Sequence, residues 1–415
     1  MNRFPNEILE AILAYFVSDG ANNDQDVDTL YAVSFTSRKL YHVAQPLLYR
    51  SIELDIRYEK LKLLYKTLKT KAQLAIAVKE LSFWRSAAFV SASRQDLLRL
   101  FLHHVLPSLK GLVVLRGVNR IFTARLIEST LYKAGNGYHM GVPTDLSNLQ
   151  SLEIFAADYV YKYNYILRLP RLRRVCLNSI QVVEQNGEDA VLPNDWCWTS
   201  QSIRELVLRL VQWRPGPPGS QRLWSNSLQA LSRSMPFLES LRIEQYENGL
   251  NPWLCRGLVT MFGLQLAGPL RRFELCDGNF DTVSVPLMGL LMAQVDSITA
   301  IHEIQASNLE HLTIDWSTLF YGTNNPYSSE ELLNVPCPLM TLRYLNLRYA
   351  ELIPGPDAVI WDPETVLKFV QRRFPAVEKV QLELKLHEEV NREIIQEYMA
   401  LFEAAGMDFE VLEHR

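Results

Sequence analysis

The residues best able to ligate a metal or attack a substrate are five cysteines and eight histidines in a chain of 415 residues. Cys176, Cys197, Cys255, Cys276 and Cys337 never stand closer than 21 residues apart. No C-x-x-C pair exists, so neither a zinc site nor a disulfide framework is indicated, and the thiols read as buried groups in a reducing compartment. The histidines are scattered, and the adjacent pair His103-His104 lies in an amphipathic helical stretch. A Gly-rich phosphate loop, G-x-S-x-G, H-E-x-x-H and an acidic calcium loop are all missing. These residues predict no catalysis, no metal and no cofactor, and an enzyme hidden in irregular loops is the weakest reading.

The chemistry left is recognition, and two sets of residues are placed for it. Between the leucines of a recurring pattern stand Phe155, Arg209, Arg242, Glu244, Asp315 and Arg348, polar and charged groups of both signs with few apolar neighbours. Trp196, Trp198 and Trp213 stand beside loops rich in proline and glycine, and tryptophan is the residue most enriched at interface hot spots. Both sets point to a protein partner. A formal charge of −4 gives no case for nucleic acid or membrane. Seven basic residues between Arg57 and Lys79 face Glu59 alone, but no aromatic interleaves the lysines, and they read as the solvated face of a helix with Leu61, Leu64, Tyr65 and Leu68 inward.

The elements that must position these residues come from a repeat: an apolar residue, two others, an apolar residue, one other, an apolar residue. It occurs as Val78-Leu81-Phe83, Leu109-Leu112-Val114, Leu149-Leu152-Ile154, Leu172-Val175-Leu177 and Ile203-Leu206-Leu208. It continues as Leu238-Leu241-Ile243, Leu270-Phe273-Leu275, Leu309-Leu312-Ile314, Leu342-Leu345-Leu347 and Val377-Val380-Leu382. Pro107, Pro170, Pro236, Pro269 and Pro375 each stand one or two residues before a repeat, where proline ends a helix and forces extension. Helical stretches are predicted before them at 96–101, 224–235, 253–266 and 363–374. Helix, proline and short strand about every 33 residues is the signature of a leucine-rich-repeat solenoid, a curved parallel sheet with outer helices in which the residues between the leucines line the concave face. The asparagine ladder of short repeats is absent. Val390 to Ala405 predicts a further amphipathic helix, and Phe409 to Leu412 a strand closing the open end.

The N-terminal stretch has a different rhythm. Ile8, Leu9, Ile12, Leu13 and Phe16 share a helix face behind Pro5, and Leu30, Val33, Leu40 and Tyr41 form a second series that Pro46 interrupts. Two or three short helices make a core too small to be very stable alone. Phe4-Pro5-x-Glu7-Ile8-Leu9-x-x-Ile12-Leu13, then Leu30-x-x-Val33-Ser34-Phe35-Thr36-Ser37-Arg38, then Pro46-Leu47-Leu48-Tyr49-Arg50 resembles the F-box, in the form common in fungal proteins. Phe4 stands where leucine is usual, Thr36 where valine is usual, and the polar loop Ser18 to Asp28 exceeds the family's short turn.

The resemblance implies a helical plug that docks the Skp-family adaptor of the SCF ubiquitin ligase, and through it a cullin, using Phe4, Pro5, Ile8, Leu9, Ile12, Leu30, Val33 and Phe35. The expected layout is α/β: an F-box-like helical module at 1–54, a bridging helix at 55–77 and the repeat solenoid with its C-terminal cap at 78–415. The expected function is a non-catalytic substrate receptor of such a ligase, the alternative being an interaction scaffold of the same architecture outside it. Met1-Asn2-Arg3 runs straight into the first helix without a signal-peptide core, and no apolar run approaches a membrane span, so the expected compartment is cytoplasmic or nuclear.

Overall fold

The computed structural model describes residues 5–14, 23–55, 58–84, 100–101, 104–118, 131–134, 137–140, 146–155, 167, 169–178, 181–183, 199–209, 212–214, 233–245, 268–277, 308–315, 339–350, 363–384 and 392–413. The chain divides into two compact units, one of Met1–Ala157 with Arg168–Val175, the other of Asp158–Leu167 with Cys176–Arg415.

In the first unit, Pro5 stands just ahead of helix α1 (Asn6–Ala14), where its missing N–H has no partner to lose, and its carbonyl accepts from the Leu9 N–H. Leu9 and Leu13, four residues apart, face inward. Helix α2 (Asn23–Ser34) begins inside the segment expected to be a polar loop, so Asn23 to Asp28 belong to a helix that carries Leu30 into the core. Ser37 caps helix α3 (Arg38–Leu48), its Oγ accepting from the Leu40 N–H at 3.1 Å. Pro46 does not interrupt this helix. It sits in the last turn, where only the bond to the His42 carbonyl is forfeited, and the Tyr49 and Arg50 N–H groups close back on Gln45 and Leu47. Leu9, Leu13, Leu30, Leu40, Ala44 and Leu47 form one buried cluster, against which Val33 packs. Each buried leucine contributes about 1.5–3 kcal/mol, so the module's core is thin.

The sheet starts earlier than the sequence reading has it. Strand β1 (Ser51–Asp55) crosses the expected boundary at 54 and pairs in parallel with β2 (Glu80–Trp84), Ile52 opposite Leu81 and Leu54 opposite Phe83. Two helices rather than one span the interval, α4 (Tyr58–Thr70) and α5 (Ala72–Ala77). On α4, Leu61 and Leu68 are buried, Leu64 and Tyr65 half-buried, and Lys66 and Lys69 exposed. Strand β3 (Val114–Val118) joins β2 with a register offset by three from the Leu109-Leu112-Val114 reading: Leu115, not Leu112, stands opposite Leu81 and also opposite Leu152. The third apolar place falls on Gly117. Its φ of +72° is left-handed, and a Cβ there would lie 2.1 Å from the Phe83 carbonyl oxygen, so only glycine fits. The ladder slips at this residue before resuming at Val118. An antiparallel pair, β4 (Leu131–Ala134) with β5 (Gly137–Met140), precedes β6 (Ser151–Ile154), which pairs in parallel with β3.

Strand β7 (Arg174–Asn178) is divided by the unit boundary, Arg174 and Val175 in the first unit and Cys176 to Asn178 in the second. The second unit then runs β8 (Gln181–Val183), β9 (Glu205–Arg209), β10 (Gln212–Arg214, paired with β8), β11 (Ser240–Gln245), β12 (Arg272–Asp277), β13 (His311–Asp315) and β14 (Tyr344–Ala350). Helix α6 (Pro363–Arg373), β15 (Lys379–Leu384), helix α7 (Arg392–Ala404) and β16 (Asp408–Glu413) complete it. From β9 through β11, β12, β13, β14 and β15 to β16 the strands are neighbours in chain order, and every pair is parallel. Period-two alternation sends Leu206, Leu241, Phe273, Leu312, Leu345, Val380 and Phe409 inward in one register row.

The connection into each strand repeats as well. Glu239 and Ser240 both donate to the Arg204 carbonyl, Arg271 and Arg272 to Glu239, Glu310 and His311 to Arg271, Arg343 and Tyr344 to Glu310. This is an α/β, solenoid-like repeat. Of the predicted helices, 363–374 and 390–405 are found as α6 and α7, while 224–235 and 253–266 lie outside the described residues apart from 233–235, and 96–101 apart from 100–101. Phe369 and Phe374 meet edge to face, and Tyr398 and Phe402 of α7 stack on Phe409 of β16.

Candidate functional site

Two surfaces carry the residues singled out by the sequence. The first is the α1–α3 module. Ile8 and Ile12, one helical turn apart on α1, are 46% and 52% exposed, although Leu9 and Leu13 beside them are buried. Val27 and Tyr31 on α2 and Phe35, just past its end, recur at four-residue spacing and are all exposed, Phe35 at 71% and edge to face with Tyr31 at 4.8 Å. The Tyr31 and Phe35 rings thus stay in water while Leu30, next in sequence, is 2% exposed. Of the residues implied as docking contacts, Pro5, Ile8, Ile12 and Phe35 are exposed, Leu9 and Leu30 belong to the module's own core, and Val33 is half-buried against it. Phe4 lies outside the described residues. Val27 and Tyr31 were not singled out, although their four-residue spacing ahead of Phe35 was the available signal; Tyr41 on α3, expected in the apolar series, is exposed as well.

The second surface is the face of β9 to β15 turned away from the leucines. Parity puts three register rows on it. The first holds Arg272, His311, Tyr344 and Lys379, the second Arg242, Glu274, Thr313, Asn346 and Gln381, the third Arg209, Glu244 and Cys276 and, further along, Asp315 with Arg348. Of the sequence candidates, Arg209, Arg242, Glu244, Asp315 and Arg348 therefore come together on neighbouring strands. Phe155 follows β6 in the first unit and is half-buried. Trp196 and Trp198 lie outside the described residues, as does the side chain of Trp213. Arg272, His311 and Tyr344 were missed because the pattern was read only from its middle leucine onward; two residues back along the same alternation reaches them.

Charges on this face are largely matched. Glu244, 3% exposed, accepts from Arg209 Nε at 2.8 Å and is ion-paired through its other oxygen with Arg242. Arg242 also reaches Glu274 at 3.2 Å. Glu383 accepts from Asn346 Nδ2 at 2.6 Å and Arg348 Nε at 3.1 Å. Tyr344 donates to Gln381, whose amide donates to Glu410 at 3.2 Å, and Glu410 also holds Lys379 at 2.7 Å. That bond to Glu410 is the chief reason the Lys379 ammonium is held above its ordinary pKa.

A pocket of about 490 Å³ opens among these rows, lined by residues from β11 to β15, with Cys276 among them. Burial pushes the Cys276 thiol up to about 12, with Arg348 and Arg242 opposing, so it stays protonated and is no nucleophile. Burial, then the Arg272 charge, hold the His311 imidazole below its ordinary value, while Glu310 and Glu274 pull the other way. Burial raises the Tyr344 phenol, and the nearby Lys379 works against it. Among the described residues no group of three or more His, Cys, Asp or Glu could hold a metal ion, and no helix is long and apolar enough to cross a membrane. What this arrangement can do is bind polar groups through hydrogen bonds and ion pairs. No protein-family model matches the chain, and no curated protein matches it.

Proposed function

We propose that the chain is the substrate receptor of an SCF-type ubiquitin ligase. Its N-terminal helices dock a Skp-family adaptor, which joins them to a cullin, and its strand face holds the target. The observation that carries the reading is the pair of exposed apolar rows, Ile8/Ile12 and Val27/Tyr31/Phe35, on a module whose core is already filled by other leucines. Large apolar side chains left in water at helical spacing, in so small a module, are what a partner would cover. The receptor does no chemistry; it raises the local concentration of a target lysine near the charged conjugating enzyme.

The test is capture by the purified full chain of a Skp-family adaptor, alone and with a cullin. Ile12→Asp with Phe35→Ala changes two exposed side chains, so the fold persists while adaptor binding falls by 100-fold or more, as for hot-spot residues worth about 2–4 kcal/mol. Capture undiminished in the folded variant sinks the F-box reading. Adaptor capture without a cullin in the assembly leaves a scaffold working outside a ligase.

A further inference from the structure

The pocket among β11 to β15 holds three arginines in different circumstances. Arg242 is engaged by Glu244 and Glu274, and Arg348 by Glu383. Arg272 is exposed at the pocket's edge and, among the described residues, its guanidinium has no hydrogen bond or ion pair. Its register partner on β13 is His311, and Thr313, half-buried with no hydrogen-bond partner for its hydroxyl among the described residues, lies two residues along that strand. Guanidinium, imidazole and hydroxyl therefore line one side of the same cavity as three side chains with no hydrogen bond to an acceptor among the described residues, beside Glu274, which Arg242 holds.

We infer that this side of the pocket binds an anionic side chain of the target, carboxylate or phosphate, with Arg272 as its principal counter-charge and Thr313 and His311 as further donors. The inference rests on the reading of this face as the target-holding surface. A planar guanidinium with no ion-paired acid offers paired N–H donors to such a group, the neighbouring Glu274 being taken up by Arg242, whereas a lysine side chain would meet an unbalanced like charge. His311 makes the binding pH-dependent. The groups facing it are Arg272 and Glu274 from β12, Glu310 on its own segment, and the Tyr344 ring of β14 at 5.4 Å. With Arg272 beside it the free ring is held neutral near pH 7. An anion between the two offsets that repulsion, so the ring takes up a proton on binding and affinity rises as pH falls.

The experiment presents the full chain with peptide pools in which one position is fixed as Glu, phosphoserine, Gln or Lys. The Glu or phosphoserine pool is retained about tenfold or more over Gln, which has the shape of Glu without its charge, and whichever of the two leads names the source of the anion. Arg272→Ala brings that pool down to the Gln level, and Arg272→Glu moves retention to the Lys pool. Lowering the pH from 7.5 to 6 strengthens retention of the Glu pool, and His311→Gln removes the gain. Retention of Gln or Lys equal to or above both anionic pools in the unaltered chain overturns the inference, as does an Arg272→Ala chain that keeps its anion preference. Adaptor capture on the same preparation reads the N-terminal module separately, so loss of pool selectivity alone leaves the receptor reading standing.

Discussion

The α1–α3 module and the β9–β15 face solve opposite surface problems. In the module, aromatic and branched apolar side chains stay in water above a thin core, and little polar structure surrounds them. On the strand face most apolar groups have gone inward, and many of the charged residues left outside are tied to one another across strands, Arg209 to Glu244 and Arg348 to Glu383. The first surface gains from being covered whole. The second gains only from a partner that replaces or completes its hydrogen bonds, because desolvating a matched ion pair returns little net energy. The module is thus suited to one constant partner and the strand face to selective ones.

Two phenylalanines put that comparison to its hardest test. Phe273, 2% exposed, spans the apolar row between Leu241 and Leu312, and Phe273→Ala lowers unfolding stability by about 3–5 kcal/mol in a denaturant titration. Phe35→Ala stays within about 0.5 kcal/mol of the parent in the same titration. Equal losses would mean that Phe35 is core and the apolar rows are not a docking surface.

Next comes the acid that two arginines share. Glu244→Ala strips Arg209 and Arg242 of their common partner, and because both guanidiniums keep some water the cost is about 1–3 kcal/mol. Glu364→Ala, which breaks the exposed pair with Lys368 on α6, costs under about 0.5 kcal/mol. A Glu244 variant as mild as the Glu364 one would show that the matched charges on the strand face are ornamental to stability.

Smaller again is the kinetic contrast at Cys276. With its pKa near 12 and its side chain 1% exposed, the thiol escapes alkylation at pH 8 in the folded chain and reacts once urea unfolds it, as read by peptide mass. Rapid native labelling would mean that the pocket floor opens.

The least effect belongs to His311. Its folded pKa lies below the ordinary 6.5, so the unfolded chain takes the proton first. The contribution is complete above about pH 6.5 and is lost as pH falls through the folded value. Denaturant midpoints therefore fall slightly more between pH 7 and 5 for the parent than for His311→Gln, and a parent that gains instead would mean that neither burial nor Arg272 holds the imidazole down.

Much of the core was legible in the sequence, because a period-two strand with both flanking leucines buried writes its register in apolar residues. That held for the apolar rows from Leu206 to Leu382, the β14–β15 ladder shifting only after Leu347. It failed at Leu109-Leu112-Val114, since the repeat there ends on Gly117, and a glycine demanded by backbone geometry leaves no apolar mark. It failed again at β1, whose Ile52 and Leu54 are too few to stand out beside a helical module. The start of α2 was misread because Asn23 to Asp28 hold a single apolar residue, Val27, so no helical periodicity marks them. In the candidate site, positions on the strand face were legible from alternation alone. The matching of Arg209 with Glu244 was not, because it joins residues 35 apart whose adjacency depends on register.

Strands that are neighbours in chain order have a further consequence for how the chain is made. In the second unit each new strand from β12 to β16 pairs with the one synthesised just before it, and β11 pairs with β9, made one short strand earlier, so no pairing there waits for a distant segment to emerge. Loop closure spans one repeat each time, which keeps the entropic cost of every step nearly constant. Synthesis can therefore add the sheet strand by strand, the exposed edge moving forward with the ribosome, and a stall within one repeat leaves earlier repeats already paired.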